Sequence, residues 1–213
     1  MAVIVLAGTI GAGKSSLTEI ISEHLKSEAF YESVEDNEVL PLFYADPKKY
    51  AFLLQIYFLN KRFDSIKQAL SHENNVLDRS IYEDSLLFHL NADLGRANET
   101  EVKVYDSLLE NMLQELPFAA NKKRPDLLVH IKISFPKMLE RIQRRGRTYE
   151  QVEQDPALYD YYKELNKRYE KWFEEYNESP KIQIDGDKYD FIESEEAKKQ
   201  VIQLIENKLA EIN

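Results

Sequence analysis

"AVIVLAGTIGAGKSS", Ala2 to Ser16, decides the fold. Its first six residues are apolar without alternation, the pattern of a strand buried on both faces, here 2–7. Gly8 ends that run and opens Gly8-x-x-x-x-Gly13-Lys14-Ser15, the spacing of a phosphate-binding loop. Its glycines allow a tight turn whose N–H groups point inward. The helical pattern from Lys14 to Leu25 adds the positive end of a helix dipole. Gly8, Thr9, Ile10, Gly11, Ala12, Gly13, Lys14, Ser15 and Ser16 are therefore expected to cradle a triphosphate. Lys14 would reach the outer phosphates, and the Ser15 hydroxyl would ligate Mg²⁺. The chain has six glycines, three of them between 8 and 13, so the cluster is not a by-product of glycine-rich composition.

Outward from the loop, strand patterns fall at 29–33, 74–78, 125–133 and 181–185. Helical patterns fall at 48–70 behind Pro47, at 81–94, 99–116, 136–145, 156–177 and 194–211. Strands alternating with helices predict an α/β fold, a parallel sheet with right-handed crossovers. The 213 residues show no linker, repeat or low-complexity tract, so 1–213 reads as one domain. A formal charge of −10 speaks against nucleic acid polymers as partners but not against a small anion held by a local basic cluster. There are no cysteines, which removes disulfides and thiol chemistry. The longest strongly apolar run, "AFLLQIYFL", is nine residues, far short of a membrane span. With no basic leader ahead of "MAVIVLAG", the chain is read as soluble and cytoplasmic.

"RIQRRGRTYE", 141–150, holds four of the nine arginines within seven positions. Arg141 and Arg145 are one turn apart and share a helix face. Gly146 ends the helix, Arg147 projects from the turn, and Arg144 points elsewhere. A kinase must exclude water from the γ-phosphate, and a mobile arginine-rich lid, about 141–151, meets that need. It would close over ATP and offer planar donors to the transferring phosphoryl oxygens. A GTP switch would carry Asn-Lys-x-Asp, which is absent; "NKKR" and "NKRY" lack the aspartate. A small-molecule kinase fits best.

Beyond the loop and the lid, "ESVEDN", "FYADPKKYAFLLQIYFLNKR", "DRSIYED" and "DGDKYDF" make the chain resemble the deoxyribonucleoside kinases, in particular the bacterial deoxyadenosine/deoxyguanosine branch. The resemblance spans almost the whole chain. It implies five parallel strands flanked by helices, a homodimer, and transfer of the γ-phosphate of ATP to the 5′-hydroxyl of a deoxynucleoside in nucleotide salvage. Glu32 matches the catalytic carboxylate, with Glu35 close enough to compete for the role; a sugar hydroxyl must lose its proton during transfer. Asp78 and Arg79 follow "NVL" at a strand's carboxyl end, where ligands bind in open α/β sheets. Asp78 would hold Mg²⁺, and Arg79 would bridge the 5′-oxygen and the incoming phosphoryl group. Many family members have Glu where Asp78 stands; the shorter acid can still reach the metal, directly or through water.

Gln55 and Arg62 lie two turns apart on one helix face. By the resemblance, Gln55 matches the residue that pairs with the base, and Arg62 would pair with Asp84; in the family that pair is linked to purine and deoxycytidine use. Phe88 would stack on the base, while Tyr44 and Glu150 would bind the 3′-hydroxyl. Residues 184–191 would line the adenine of the donor. Deoxyadenosine is the expected acceptor. Since one amide can flip, deoxyguanosine or deoxycytidine remain open on the same scaffold. A thymidylate-type kinase would need further basic residues for its acceptor's phosphate, and a non-catalytic nucleotide-binding regulator would have lost the lid or base arginines.

Overall fold

The computed structural model describes residues 2–31, 37–69, 74–119 and 124–212. Five strands, β1 (Val3–Ala7), β2 (Glu28–Phe30), β3 (Asn75–Asp78), β4 (Leu127–Lys132) and β5 (Lys181–Asp185), form one sheet in the order β2-β3-β1-β4-β5. Every pairing is parallel. Among the described residues eight helices surround it: α1 (Lys14–Leu25), α2 (Val39–Ala45), α3 (Pro47–Ala69), α4 (Asp84–Asp93), α5 (Glu99–Ala119), α6 (Phe135–Arg145), α7 (Ala157–Glu175) and α8 (Glu195–Ile212).

The sheet has two apolar faces because its central strands have no polar side. On β1, Ile4 and Leu6 join one core with residues of α1, α6, α7 and α8. Val3, Val5 and Ala7 join the other, with Leu59, Ile66, Tyr105 and Leu109 of α3 and α5. A period of two thus divides one strand between two cores. With β1 flanked by β3 and β4, the carboxyl ends of the middle strands open on a shared crevice, and the glycine loop leaves β1 there.

The expected five-strand α/β architecture is present. Helix α2 was not expected. It is short and contains Pro41, but Pro41 sits in its first turn, where no N–H partner is needed. The Asn37 side chain accepts from the N–H groups of Val39 (2.9 Å) and Leu40 (3.0 Å), starting the helix. The helical pattern expected over 81–94 divides into a 3-10 turn, Ile81–Glu83, and α4, while a second three-residue 3-10 turn, Thr148–Glu150, escaped periodicity, being too short to have one. Helix α6 ends as expected at Gly146, with φ of 72°.

Candidate active site

Two glycines of the phosphate loop leave little room for a side chain. A Cβ on Gly8 would lie 2.8 Å from the Ile131 carbonyl oxygen, and one on Gly13 would lie 3.2 Å from the Phe191 ring. Gly13 also takes φ of 95°, and α1 begins at the next residue with no acidic side chain in its first turn, leaving its positive end exposed to an anion. The Lys14 ammonium donates to the carbonyls of Gly8 (2.9 Å) and Thr9 (3.1 Å), folded along the loop it serves. The Thr9 hydroxyl turns away to the Met138 sulfur, so within the loop Thr9 offers its backbone.

Ser15 and Asp78 come together from α1 and the end of β3, the Ser15 hydroxyl donating to Asp78 Oδ2. Asp78 Oδ1 is buried without a hydrogen-bond partner. A hydroxyl beside a carboxylate with spare acceptor capacity is the hard oxygen set that suits Mg²⁺, which takes few protein ligands and keeps waters and phosphates for the rest. Among the described residues no group of three or more His, Cys, Asp or Glu could hold a metal.

The lid arginines divide into three roles. Arg141 is 7% exposed, and its guanidinium donates to the carbonyls of Gly11 (3.4 Å), Ala12 (3.0 Å) and Gly186 (3.0 Å). It therefore braces the phosphate loop against the turn after β5 instead of reaching over a triphosphate, and so departs from the lid role expected of it beside Arg145. The cause is packing: α6 runs so close that a Cβ on Gly11 would sit 3.4 Å from that of Arg141. Arg144 faces Glu193 at 3.9 Å. Arg145 and Arg147 both turn to Glu150, Arg145 Nη2 on Oε2 and Arg147 Nη1 on Oε1 at 3.4 Å. Glu150 is buried, and the Tyr162 hydroxyl donates to its carbonyl at 3.0 Å.

Two hollows meet at the loop. One is a cleft lined by Gly11, Gly13, Lys14, Ser15, Ser16, the four lid arginines and Ile192. The other is a cavity lined by Tyr44, Gln55, Asp78, Arg79, Glu150 and Tyr161, with Leu40, Phe43, Leu54, Phe58 and Leu87 as its apolar wall. Gly11, Lys14, Ser15, Arg145 and Arg147 line both. Gln55 is 4% exposed, and its carbonyl oxygen has no partner. Burial pushes the hydroxyls of Tyr44, Tyr161 and Tyr162 up, so all three stay protonated donors at neutral pH.

Arg62 and Asp84 form a buried ion pair, and neither lines the cavity that holds Gln55. Arg62 instead lines a neighbouring hollow with Tyr31, Asp78 and Arg79. Phe88 corrects a second expectation. It has no exposed surface and packs in the core against Tyr105 and Phe52, ring centroids 4.6 and 6.0 Å away. Helical position alone does not tell which of two adjacent residues faces a cavity; here Leu87 and, from α3, Phe58 do. Glu32 and Glu35 lie outside the described residues.

Sequence reasoning missed Tyr161, Ile192 and Glu83. Tyr161 was one tyrosine among 13, and Ile192 is an apolar residue in a polar turn, so neither carried a signal. Glu83 did carry one, since Ser80-x-x-Glu83 is a capping box, and the structure forms it.

A parallel sheet with a glycine nest on its central strand, a helix dipole behind the nest and guanidinium groups around it defines a phosphate-loop nucleotide-binding protein. The family model for deoxynucleoside kinases matches residues 4–211. The chain is 61% identical over 212 residues to the deoxyguanosine kinase of Lactobacillus johnsonii, covering 100% of this chain and 94% of that one. It is 55% identical over 210 residues to the deoxyadenosine kinase of Lactobacillus acidophilus, covering 99% and 97%. The structure of deoxyadenosine kinase from M. mycoides with bound dATP superposes with a TM-score of 0.79 at 32% identity, covering 98% and 99%. The chain belongs to the deoxynucleoside kinase family, and its activity is that of a deoxynucleoside kinase.

Proposed function

We propose that the chain moves the γ-phosphate of ATP to the 5′-hydroxyl of a purine deoxyribonucleoside. The carrying observation is the junction: five residues, Gly11, Lys14, Ser15, Arg145 and Arg147, line both the arginine cleft and the Gln55 cavity. A triphosphate in the cleft, with its α- and β-phosphates on the loop, has its γ-phosphate at the mouth of the cavity. A deoxynucleoside whose base lies by Gln55 points its 5′-carbon at the same place.

In this reading the 5′-oxygen forms a bond to the γ-phosphorus as the bridging bond to the β-phosphate breaks, releasing ADP. The proton of the 5′-hydroxyl passes to Glu32, with Glu35 the competing base. Arg79 orients the acceptor oxygen against the phosphoryl group. Arg145 and Arg147 leave Glu150 for the phosphoryl oxygens as the 3′-hydroxyl takes Glu150 and Tyr44, so acceptor binding readies the lid. Ser15 and Asp78 would hold Mg²⁺, which would supply positive charge to offset that of the triphosphate. Arg141 serves by keeping the loop's backbone in place.

Cytosine, with N3 and its 4-amino group, presents the same edge as adenine, so the buried oxygen of Gln55 supports pairing with a base edge without choosing the base. The amide can accept from the 6-amino group of adenine while its NH₂ donates to N1; flipped in role, it accepts from guanine N1–H and donates to O6. Deoxyadenosine was the expected acceptor. The names of the relatives favour deoxyguanosine as a second reading, at 61% against 55% identity. A panel of the four deoxynucleosides and dTMP with ATP and Mg²⁺, scored for product, tests this. Preferred turnover of deoxycytidine, thymidine or dTMP refutes the purine assignment.

Assembly as a homodimer through α3 and α5 is part of the proposal. Leu53 (48% exposed) and Val104 (52%) are solvent-facing apolar side chains on those helices. Light scattering that returns a monomer at micromolar concentration refutes it. Among the described residues no helix is long and apolar enough to cross a membrane.

A further inference from the structure

Glu83 has no exposed surface, yet it carries a carboxylate a few residues from the proposed reaction centre. It stands at the end of the 3-10 turn that follows Asp78-Arg79-Ser80. Its Oε2 accepts from the N–H of Gly8, the first residue of the phosphate loop, at 3.3 Å. Its Oε1 accepts from the N–H of Ser80 at 3.3 Å and from Arg79 Nη1 at 3.4 Å. One side chain thus touches both the donor loop and the acceptor-side arginine.

Arg79 needs such a hold. Its backbone has φ of 98°, a region costly for any residue with a Cβ, and such strain persists only where neighbours over-determine the conformation. The same Nη1 also donates to the Tyr169 hydroxyl at 3.1 Å. A buried carboxylate is tolerated when it is paired and hydrogen-bonded, and the negative charge of Glu83 is answered by Arg79.

We infer that Glu83 is a positioning residue: its charge orients the Arg79 guanidinium and ties it to the start of the phosphate loop, so that donor and acceptor subsites keep one spacing. This rests on the reading of Arg79 as the group that meets the transferring phosphoryl. Charge and shape make opposite demands here. Gln keeps the shape of Glu83 but turns an NH₂ toward a donor; Asp keeps the charge and sacrifices length.

The test is steady-state kinetics of Glu83→Gln and Glu83→Asp, each alone and in an Arg79→Ala background, with kcat counted per ATP-binding site so that unfolded protein does not enter. Glu83→Gln is expected to lower kcat on the order of 10-fold or more while both KM values stay within about threefold, as misplacement near a reacting centre does. Glu83→Asp should retain more activity than Glu83→Gln. Both effects should shrink to less than about twofold in the Arg79→Ala background, because the residue acts through Arg79. A Gln variant as active as wild type, or a cost that persists without Arg79, overturns the inference. If the Gln variant does not fold, the Asp variant in the two backgrounds decides by the same criterion. Arg79→Ala with undiminished kcat refutes the underlying reading of Arg79 instead, and the inference falls with it.

Discussion

Replacing Arg141 by Ala separates a brace from a catalytic finger. The guanidinium makes two contacts at 3.0 Å, to Ala12 and Gly186, and one at 3.4 Å, to Gly11. Removing it leaves those carbonyls in an interior from which water is largely excluded. At about 1–3 kcal/mol for each of the two short contacts, with the lower half applying to carbonyls that retain other partners, the loss is about 2–4 kcal/mol. In a chain of this size that lowers Tm by roughly 5–15 °C. The loop would also lose its fixed spacing from the turn at Gly186, so ATP affinity should fall, while saturating ATP restores part of the Tm by mass action. Thermal unfolding with and without ATP, and kcat at saturation, read these out. The expected pattern is a large Tm loss, a higher KM for ATP and a kcat within about tenfold of wild type. An unchanged Tm with a collapsed kcat would show that Arg141 leaves the loop and acts on the transferring phosphoryl, and the brace argument would fail.

Arg145→Ala should behave in the opposite way, with kcat down on the order of 10²-fold and nucleoside KM nearly unchanged, because its proposed role is exercised in the transition state; a pure affinity defect contradicts it. For the buried pair, Asp84→Ala alone should destabilise by about 3–5 kcal/mol by removing the carboxylate that Arg62 pairs with, and Arg62→Met with Asp84→Leu should cost less. The double variant should also move acceptor preference toward thymidine, and an unchanged ranking in the acceptor panel would show that the pair has no part in reading the base. His130 supplies a pH prediction. Burial, then Lys132 and Lys14, push its imidazole down to about 3, between the rings of Tyr169 and Phe173. The unfolded chain protonates this histidine below about pH 6.5 and the folded one does not, so stability present above that pH is lost as pH falls toward 3, at up to about 1.4 kcal/mol per pH unit. His130→Gln should flatten the acid limb of a urea-unfolding series by about one proton; parallel limbs would show that the imidazole titrates normally in the fold.

What could be read without coordinates was local. The loop from Gly8 to Ser16 is specified by residues within nine positions, because a backbone nest depends on φ angles and on the helix that follows. The strands could be read because central parallel strands are apolar throughout, and α6 because Gly146 stops it. The pairing of Arg62 with Asp84 came from a family pattern, and the chain forms it.

What tertiary structure decided was which side chain faces which space. Arg141 and Arg145 share a helix face, yet α6 packs on Gly11 at the height of Arg141, and one turn later its neighbour is Glu150. Leu87 and Phe88 are adjacent, and the rotation of α4 gives the cavity to one and the core to the other. Glu83 reads as an ordinary capping residue until β1 and β3 pair and bring Gly8 to its second oxygen. Periodicity gives an angle around an element's own axis; the partner at that angle is set by contacts between residues as much as 130 positions apart, as for Arg141 and Gly11, and no local pattern encodes those.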